Sequence, residues 1–432
     1  MRRPFSSVLL ANITYVTTAQ LASLALSMVK VLVLPLFLGI SDYGYWQVYG
    51  LYVSYIWLFS FGFTEGIYLK YASYDYAELP KQELRAGIRF YLLTQFALTL
   101  GLLAIFLLAP NDPAKSFAFV CVLLSIPLTG VMSVYNAIFQ ITNQMKRYSY
   151  YLLAEKLLTL VLLGGVLLLD VRAFELLIVL EMGVKLVLLL FATRACRELV
   201  FGEAGTLAET RRAFRANAGV GVKLMVSALS GVLIVGYGRM LLERYGTIEA
   251  YATYSFNLST TNVVLLFTGA VGLAVYPLLA RRDPAGKRLL FARSSWFVNG
   301  LTLLGLSLLF PVKWLIVAYF PAYAAGVAYL PLLFVIILFQ ARMDLVITNY
   351  YKVLRAENEM LRVNGVSFLL AVVLISLLYW SFRTEQAIVV GTAVALGFRY
   401  YLSYWSIARK LGLSLRPLYL DVVLAGVMLL LI

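Results

Sequence analysis

LGISDYGYWQVYGLYVSYIWLFSFGFTEGIYLKYA, residues 38–72, sets the pattern of the whole chain. It opens on a short turn, 39–45, that carries Asp42 but no Lys or Arg. An apolar and aromatic run follows over 46–69, and the stretch leaves through Lys70. A helix of that length crosses the ~30 Å hydrocarbon core of a bilayer. A neutral or acidic turn at one end and a basic exit at the other mark a span whose basic side stays in the cytoplasm.

Outward from this stretch the pattern repeats. The apolar runs are 13–38, 46–69, 89–109, 117–141, 151–169, 173–193, 218–241, 251–276, 294–317, 327–350, 363–382 and 386–407. They predict an all-α polytopic membrane protein of about 12 transmembrane helices. A last apolar piece, 418–432, reads as a tilted or interfacial helix or as a shortened thirteenth span. The first run follows Met1-Arg2-Arg3-Pro4 and is too long for a signal-peptide core, so it reads as an uncleaved span.

Composition agrees. Hydrophobic residues make up 62% of the 432, charged residues 13%, and mean hydropathy is +0.87. Polar stretches are too short for a soluble catalytic domain. Histidine is absent, which removes the usual general base and metal ligand. Cys121 and Cys196 have neither metal nor disulfide spacing. No catalytic residue, metal or cofactor is expected. The net charge of +15 sits mostly at span ends, where membrane topology explains it better than nucleic-acid binding. The sequons at Asn12 and Asn257 lie at or within spans and carry no weight.

Of the 36 Lys and Arg, 25 fall in one alternating set of short segments and five in the other. That ratio predicts a cytoplasmic N-terminus in a multi-pass plasma (inner) membrane protein. The longest connection, 194–217, lies on the basic side and divides the chain. The expected organisation is an N-terminal six-helix lobe over 1–193, a cytoplasmic connector over 194–217 and a C-terminal six-helix lobe over 218–407. A basic segment with a short apolar helix follows over 408–432. Within the connector, AETRRAFR (208–215) reads either as a basic helix on anionic headgroups or as a solvated link.

A shift of 207 residues brings Gly39 onto Gly246, Asp42 onto Glu249 and Gly62 onto Gly269. Two parallel six-span repeats about a central cavity follow from that match.

Six cations remain inside spans: Lys30, Lys185, Lys223, Arg239, Arg342 and Arg399. A Lys or Arg at mid-membrane costs roughly 2.5–3.5 kcal/mol on insertion scales. Such residues must face water, snorkel or pair. Lys185 follows Glu181 by one helical turn and reads as its partner. Lys223 and Arg399 lie within snorkelling reach of the inner side, whereas Lys30 and Arg239 fall at nearly equivalent repeat positions. Arg342 and Asp344 are too close in register to pair on one helix. Lys30, Arg239, Arg342, Lys223 and Arg399 are therefore the candidate cationic binding residues. Glu65 and Asp344 are candidates for ion or proton coupling, and a salt bridge is the alternative for Glu65. Tyr45, Tyr49 and Tyr52 form one helical stripe, read either as a sugar-stacking surface or as helix packing. Pro35, Pro127 with Gly130, and Pro331 are candidate kinks.

The 38–72 stretch resembles the span 1–span 2 region of Wzx-type polysaccharide flippases, members of the MOP exporter superfamily. The likeness rests on Leu38-Gly39, Asp42, Tyr43-Gly44, Phe61-Gly62, Gly66 and Lys70, with the Gln144-Met145-Lys146-Arg147-Tyr148 loop and the twelve-span layout. It implies two six-helix lobes around a cationic cavity, like those of MATE exporters and the lipid II flippase. It also implies ion-coupled alternating-access translocation of undecaprenyl-diphosphate-linked O-antigen or exopolysaccharide repeat units from the cytoplasmic to the outer leaflet. The implied partners are that polyprenyl-diphosphate-linked glycan, membrane lipids and other polysaccharide-assembly membrane proteins, with no nucleic acid. The residues after Arg416 depart from the twelve-span layout.

The nearest alternative is a multidrug or small-cation antiporter of the same superfamily, which favours an acidic, aromatic cavity. A sugar transporter of the major-facilitator type lacks its motif in the loop after span 2. A membrane polymerase or ligase would need a large outer loop, and the outer loops here are short.

Overall fold

The computed structural model describes residues 5–72, 74–108, 112–203, 205–262 and 282–413, with Leu265 and Leu279. Among the described residues every regular element is helical. In the first half these are α1 (Phe5–Phe37), α2 (Ile40–Val53), α3 (Phe63–Tyr71), α4 (Lys81–Leu107), α5 (Pro113–Ile141), α6 (Met145–Leu168), α7 (Phe174–Ala195) and the short α8 (Arg197–Val200). The chain continues with α9 (Leu207–Tyr245), α10 (Ile248–Thr261), α11 (Pro284–Ser307), α12 (Leu309–Tyr319), α13 (Leu330–Arg342), α14 (Thr348–Val353), α15 (Glu357–Phe382) and α16 (Glu385–Leu411). Eight described segments are long and apolar enough to cross a membrane. The expected span 251–276 is described only in its first half, as α10, and the apolar piece 418–432 lies outside the described residues.

The chain divides into two compact units, Met1–Val226 and Ser227–Ile432. The boundary falls inside α9, beyond the connector expected at 194–217. Element order repeats from one unit to the next. α2 and α10 are both 14 residues long and start 208 residues apart. The starts of α6 and α16's neighbour α15 are 212 apart, and those of α7 and α16 are 211 apart.

α15 shows why these segments suit a bilayer. Val363, Ser367, Ala371, Ile375 and Tyr379 recur every fourth residue and are buried. On the opposite side Val366, Leu369, Val373 and Leu377 are 51–65% exposed. An exposed apolar stripe of that length is a liability in water and the expected face toward lipid.

The span expected over 46–69 is not one helix. It breaks between α2 and α3, through a 3-10 turn at Ile56–Ser60 and the pair Phe61 (φ 50°) and Gly62 (φ 79°). The left-handed region costs a non-glycine residue about 1–2 kcal/mol, so packing must hold Phe61 there. Beside it, Gly62 and Gly66 meet the backbone of α9. A Cβ added at Gly62 would meet the backbone of Gly221 and Val222, and one at Gly66 would overlap the Asn217 carbonyl. One at Gly221 would overlap the Gly62 carbonyl. Two helices in backbone contact require small residues at the crossing. Phe214 then stacks on Phe63, centroids 5.2 Å apart, and is buried there.

Upstream, α4 fastens the rest of the connector. Arg85 donates to the carbonyls of Glu198 (2.6 Å) and Glu203 (2.7 Å), and Arg89 donates to that of Gly202. The 208–215 stretch is thus helical, with Ala213 and Phe214 buried and Arg211, Arg212 and Arg215 exposed. It belongs to α9 and straps onto the first unit.

Among the kink candidates, Pro35 and Pro127 lie inside α1 and α5. Pro331 instead occupies the first turn of α13, after a 3-10 segment, Pro321–Tyr329. There its missing N–H interrupts no helical bond.

Candidate functional site

In the first unit, α1, α2, α6 and α7 surround a cavity of about 220 Å³ that holds three ammonium and two carboxylate groups. Lys30 on α1 donates to Glu181 Oε1 on α7 at 2.7 Å. Trp46 Nε1 donates to the same oxygen at 3.2 Å, and the Lys30 ammonium lies 4.9 Å from the Trp46 ring centre. Glu181 is therefore the partner of Lys30. Its expected pairing with Lys185 on its own helix does not form, and the Lys185 ammonium lies 5.8 Å from the Tyr49 ring centre. Lys156 meets Glu155 at 3.3 Å on the cavity wall.

The tyrosine stripe packs within the unit. Tyr45 lies against Phe174 with ring centres 5.3 Å apart, and Tyr52 against Phe119 at 4.7 Å. Tyr49 is buried, with its hydroxyl 3.3 Å from that of Ser125. Of the three, Tyr49 borders the 220 Å³ cavity, and Tyr45 and Tyr52 do not.

Glu65 sits in the first turn of α3, just past the break, where helix amides favour a carboxylate. It accepts a hydrogen bond from the Ser60 hydroxyl at 3.1 Å and makes no ion pair among the described residues. Lys223, on α9, is exposed.

The second unit places its charges differently. Arg399 on α16 is buried, and its Nε donates to Asn364 Oδ1 on α15 at 2.8 Å. That neutral amide replaces the snorkelling expected from sequence. Among the described residues Arg399 makes no ion pair, and its terminal nitrogens lie beside the bare backbone of Gly231. Arg342, at the end of α13, is buried with its guanidinium 5.4 Å from the Tyr400 ring centre. A π-helical turn, Met343–Ile347, follows at once and carries Asp344, which is solvent-accessible and has Arg399 and Lys352 as its charged neighbours. The turn's carbonyls are taken up by the Asn349 amide, 3.0 Å from Leu345 O and 3.3 Å from Asp344 O. Arg239 on α9 reaches the hydroxyls of Tyr251 and Ser255, each at 3.3 Å.

Three participants escape sequence reading. Asn364 is a lone amide in an apolar span, and that polarity was its signal. Trp46 had none. Lys156 reads as an inner-loop cation, yet it lines the same cavity as Lys30.

These helices and their order define a polytopic membrane protein with the fold of the MATE transporters of the MOP superfamily. A eukaryotic MATE transporter, AtDTX14, aligns at TM-score 0.63 and 13% identity over 93% of this chain and 97% of its own. The inward-facing conformation of a multidrug resistance MATE family transporter aligns at TM-score 0.65 and 14% identity, covering 90% and 95%. A MOP superfamily transporter from Pyrococcus furiosus, described as having a binding pocket of reverse polarity that suggests a different function, aligns at 0.53 and 11%, covering 93% and 95%. No family model matches the sequence, and no curated protein matches it.

Proposed function

We propose that this chain is a flippase that carries polyprenyl-diphosphate-linked oligosaccharide across the bacterial inner membrane, from the cytoplasmic to the outer leaflet, with ion coupling. The observation that carries the reading is Arg399: a buried guanidinium inside a span, oriented by a neutral amide, with no carboxylate in ion-pair contact among the described residues and Asp344 acting on it only at longer range. Left empty, such a site costs several kcal/mol. A diphosphate supplies the missing counter-charge through short, charge-assisted hydrogen bonds. Lys185 and the exposed Lys223 make no ion pair among the described residues and add positive charge, while Arg239 and Arg342 add more in the second unit. Glu65 and Asp344 are the carboxylates available for coupling. The resemblance of residues 38–72 to polysaccharide flippases and the reverse-polarity pocket of the Pyrococcus neighbour support the same direction.

The test is flipping of a fluorescent lipid-linked sugar in proteoliposomes. Arg399→Gln is expected to reduce the initial rate on the order of tenfold or more, the loss of one charge-assisted contact to phosphate. Arg399→Lys should keep part of it. Wild-type flipping by a correctly folded Arg399→Gln protein overturns the assignment.

A second reading, multidrug cation antiport, is favoured by the multidrug resistance neighbours and by the solvent-accessible Asp344 carboxylate. Under it, Asp344→Asn abolishes uptake of an organic cation dye, and Arg399→Gln leaves uptake intact or raises it.

A further inference from the structure

A second cavity in the first unit, about 580 Å³, is not the charged one. It lies between α1 and the first two turns of α6. Its wall is apolar and aromatic, and Tyr15 and Tyr150 are 48% and 70% exposed at its edge. Its rim is basic: Lys146 and Arg147 both border it and are exposed. Neither makes an ion pair among the described residues, and Arg147 spends one nitrogen on the neutral Gln144 side chain at 2.6 Å.

Two further features point into this cavity. α6 begins at Met145 without a side-chain cap, which leaves first-turn amides for an outside acceptor. Ser149 also lines it, is 6% exposed, and its hydroxyl has no hydrogen-bond partner. A buried hydroxyl without a partner costs about 1–3 kcal/mol unless a ligand supplies one.

We propose that this groove is a binding site for an anionic phospholipid of the membrane's basic-side leaflet. The phosphate sits against Lys146, Arg147 and the start of α6, with Ser149 donating to it, and one acyl chain lies on the apolar wall beside Tyr15. Charge selects the headgroup, and the wall selects an amphiphile over a free anion. The site is separate from the in-span charges assigned to transport and does not rest on the identity of the transported molecule.

Native mass spectrometry of the full chain in detergent reads it directly. Phosphatidylglycerol should remain bound, with phosphatidylcholine bound more weakly. The double variant Lys146→Gln/Arg147→Gln should weaken phosphatidylglycerol about thirtyfold, at roughly 1 kcal/mol per basic residue near a headgroup. Ser149→Ala, which removes only the hydroxyl, should weaken it by a smaller factor and leave the melting temperature unchanged. Lys313→Gln, on α12, should change nothing. Undiminished phosphatidylglycerol binding by the double variant overturns the site, as does an equal loss in Lys313→Gln. Displacement by undecaprenyl diphosphate at equal concentration overturns the phospholipid and assigns the groove to a transport substrate. Displacement by inorganic phosphate alone assigns it to a free anion.

Discussion

The two units solve one problem in opposite ways. Both keep cations inside membrane-crossing helices. The first neutralises Lys30 with Glu181, a carboxylate brought from another helix 151 residues away. The second holds Arg399 with Asn364, a neutral amide that orients the guanidinium, while Asp344 acts on it without an ion-pair contact. Offset by the 211 residues between the starts of α7 and α16, the position of Glu181 is occupied by Thr392. A repeated element order has thus kept its helices while changing how one in-span cation is held. The lesson is that a charge count over spans does not identify a binding site. What matters is which cations the protein itself has already satisfied.

The largest expected effect breaks the compensated side. Glu181→Gln leaves Lys30 as a half-buried charge without its partner; breaking a fully buried pair costs about 3–5 kcal/mol, and this part-exposed one should cost toward or below the lower end. The double variant Lys30→Met/Glu181→Gln should recover most of that loss, because a hydrophobic replacement of both partners is close to neutral. Arg399→Met breaks no ion pair. It loses one hydrogen bond, about 1 kcal/mol, and gains relief from burying a charge, so its melting temperature should stay near wild type. Thermal unfolding of the four proteins in one detergent measures the contrast. A Glu181→Gln protein as stable as Arg399→Met would end the distinction between the two units.

A second contrast concerns glycines. Gly66 packs against the Asn217 backbone, whereas a Cβ on Gly365 would meet nothing within 4 Å. Gly66→Ala forces α3 and α9 apart and should cost about 1–3 kcal/mol, the usual range for overpacking. Gly365→Ala removes only backbone freedom from α15 and should stabilise by roughly 0.5–1 kcal/mol. Opposite shifts in melting temperature are expected. Shifts of the same sign would mean that the strap of α9 on the first unit is loose.

The reach of the sequence has a physical boundary. Apolar runs announce spans because burial in lipid depends on composition summed over about 20 residues. That sum says nothing about backbone dihedrals. The SYIWLFSFG stretch at 54–62 is as apolar as any helix and yet contains the 3-10 turn and the left-handed Phe61-Gly62 pair. The π-turn after Arg342 is equally silent in sequence. Pairing fails for the same reason. Local periodicity offered Lys185 to Glu181 because they are one turn apart, and the real partner came from α1 through tertiary packing. Gly62 and Gly66 were legible as a close-approach surface, since small residues at that spacing admit a neighbouring backbone. The neighbour, Asn217 to Val222, was not.

The smallest effect lies at the helix ends outside the membrane, where the two units behave alike. Lys81 bonds Glu198 at 2.5 Å in the first unit, and Lys410 bonds Glu359 at 2.7 Å in the second. In each case the hydrogen bond from the lysine holds the carboxylate below its ordinary value of 4.5. A carboxylate with a lowered folded value contributes stability that is fully present above the unfolded value. That contribution fades as pH falls through the folded one. Both contacts are exposed, so each adds little and is screened by salt. Amide exchange of 197–203 should therefore quicken slightly as pH drops below 4.5, once corrected for intrinsic rates. Lys81→Gln should show the faster exchange already at neutral pH and lose the pH dependence. Arg85 and Arg89 still grip the carbonyls of that segment, so the connector stays docked throughout. Wholesale release of 197–203 in Lys81→Gln would place the hold in the ion pair and leave the two arginines without a part in it.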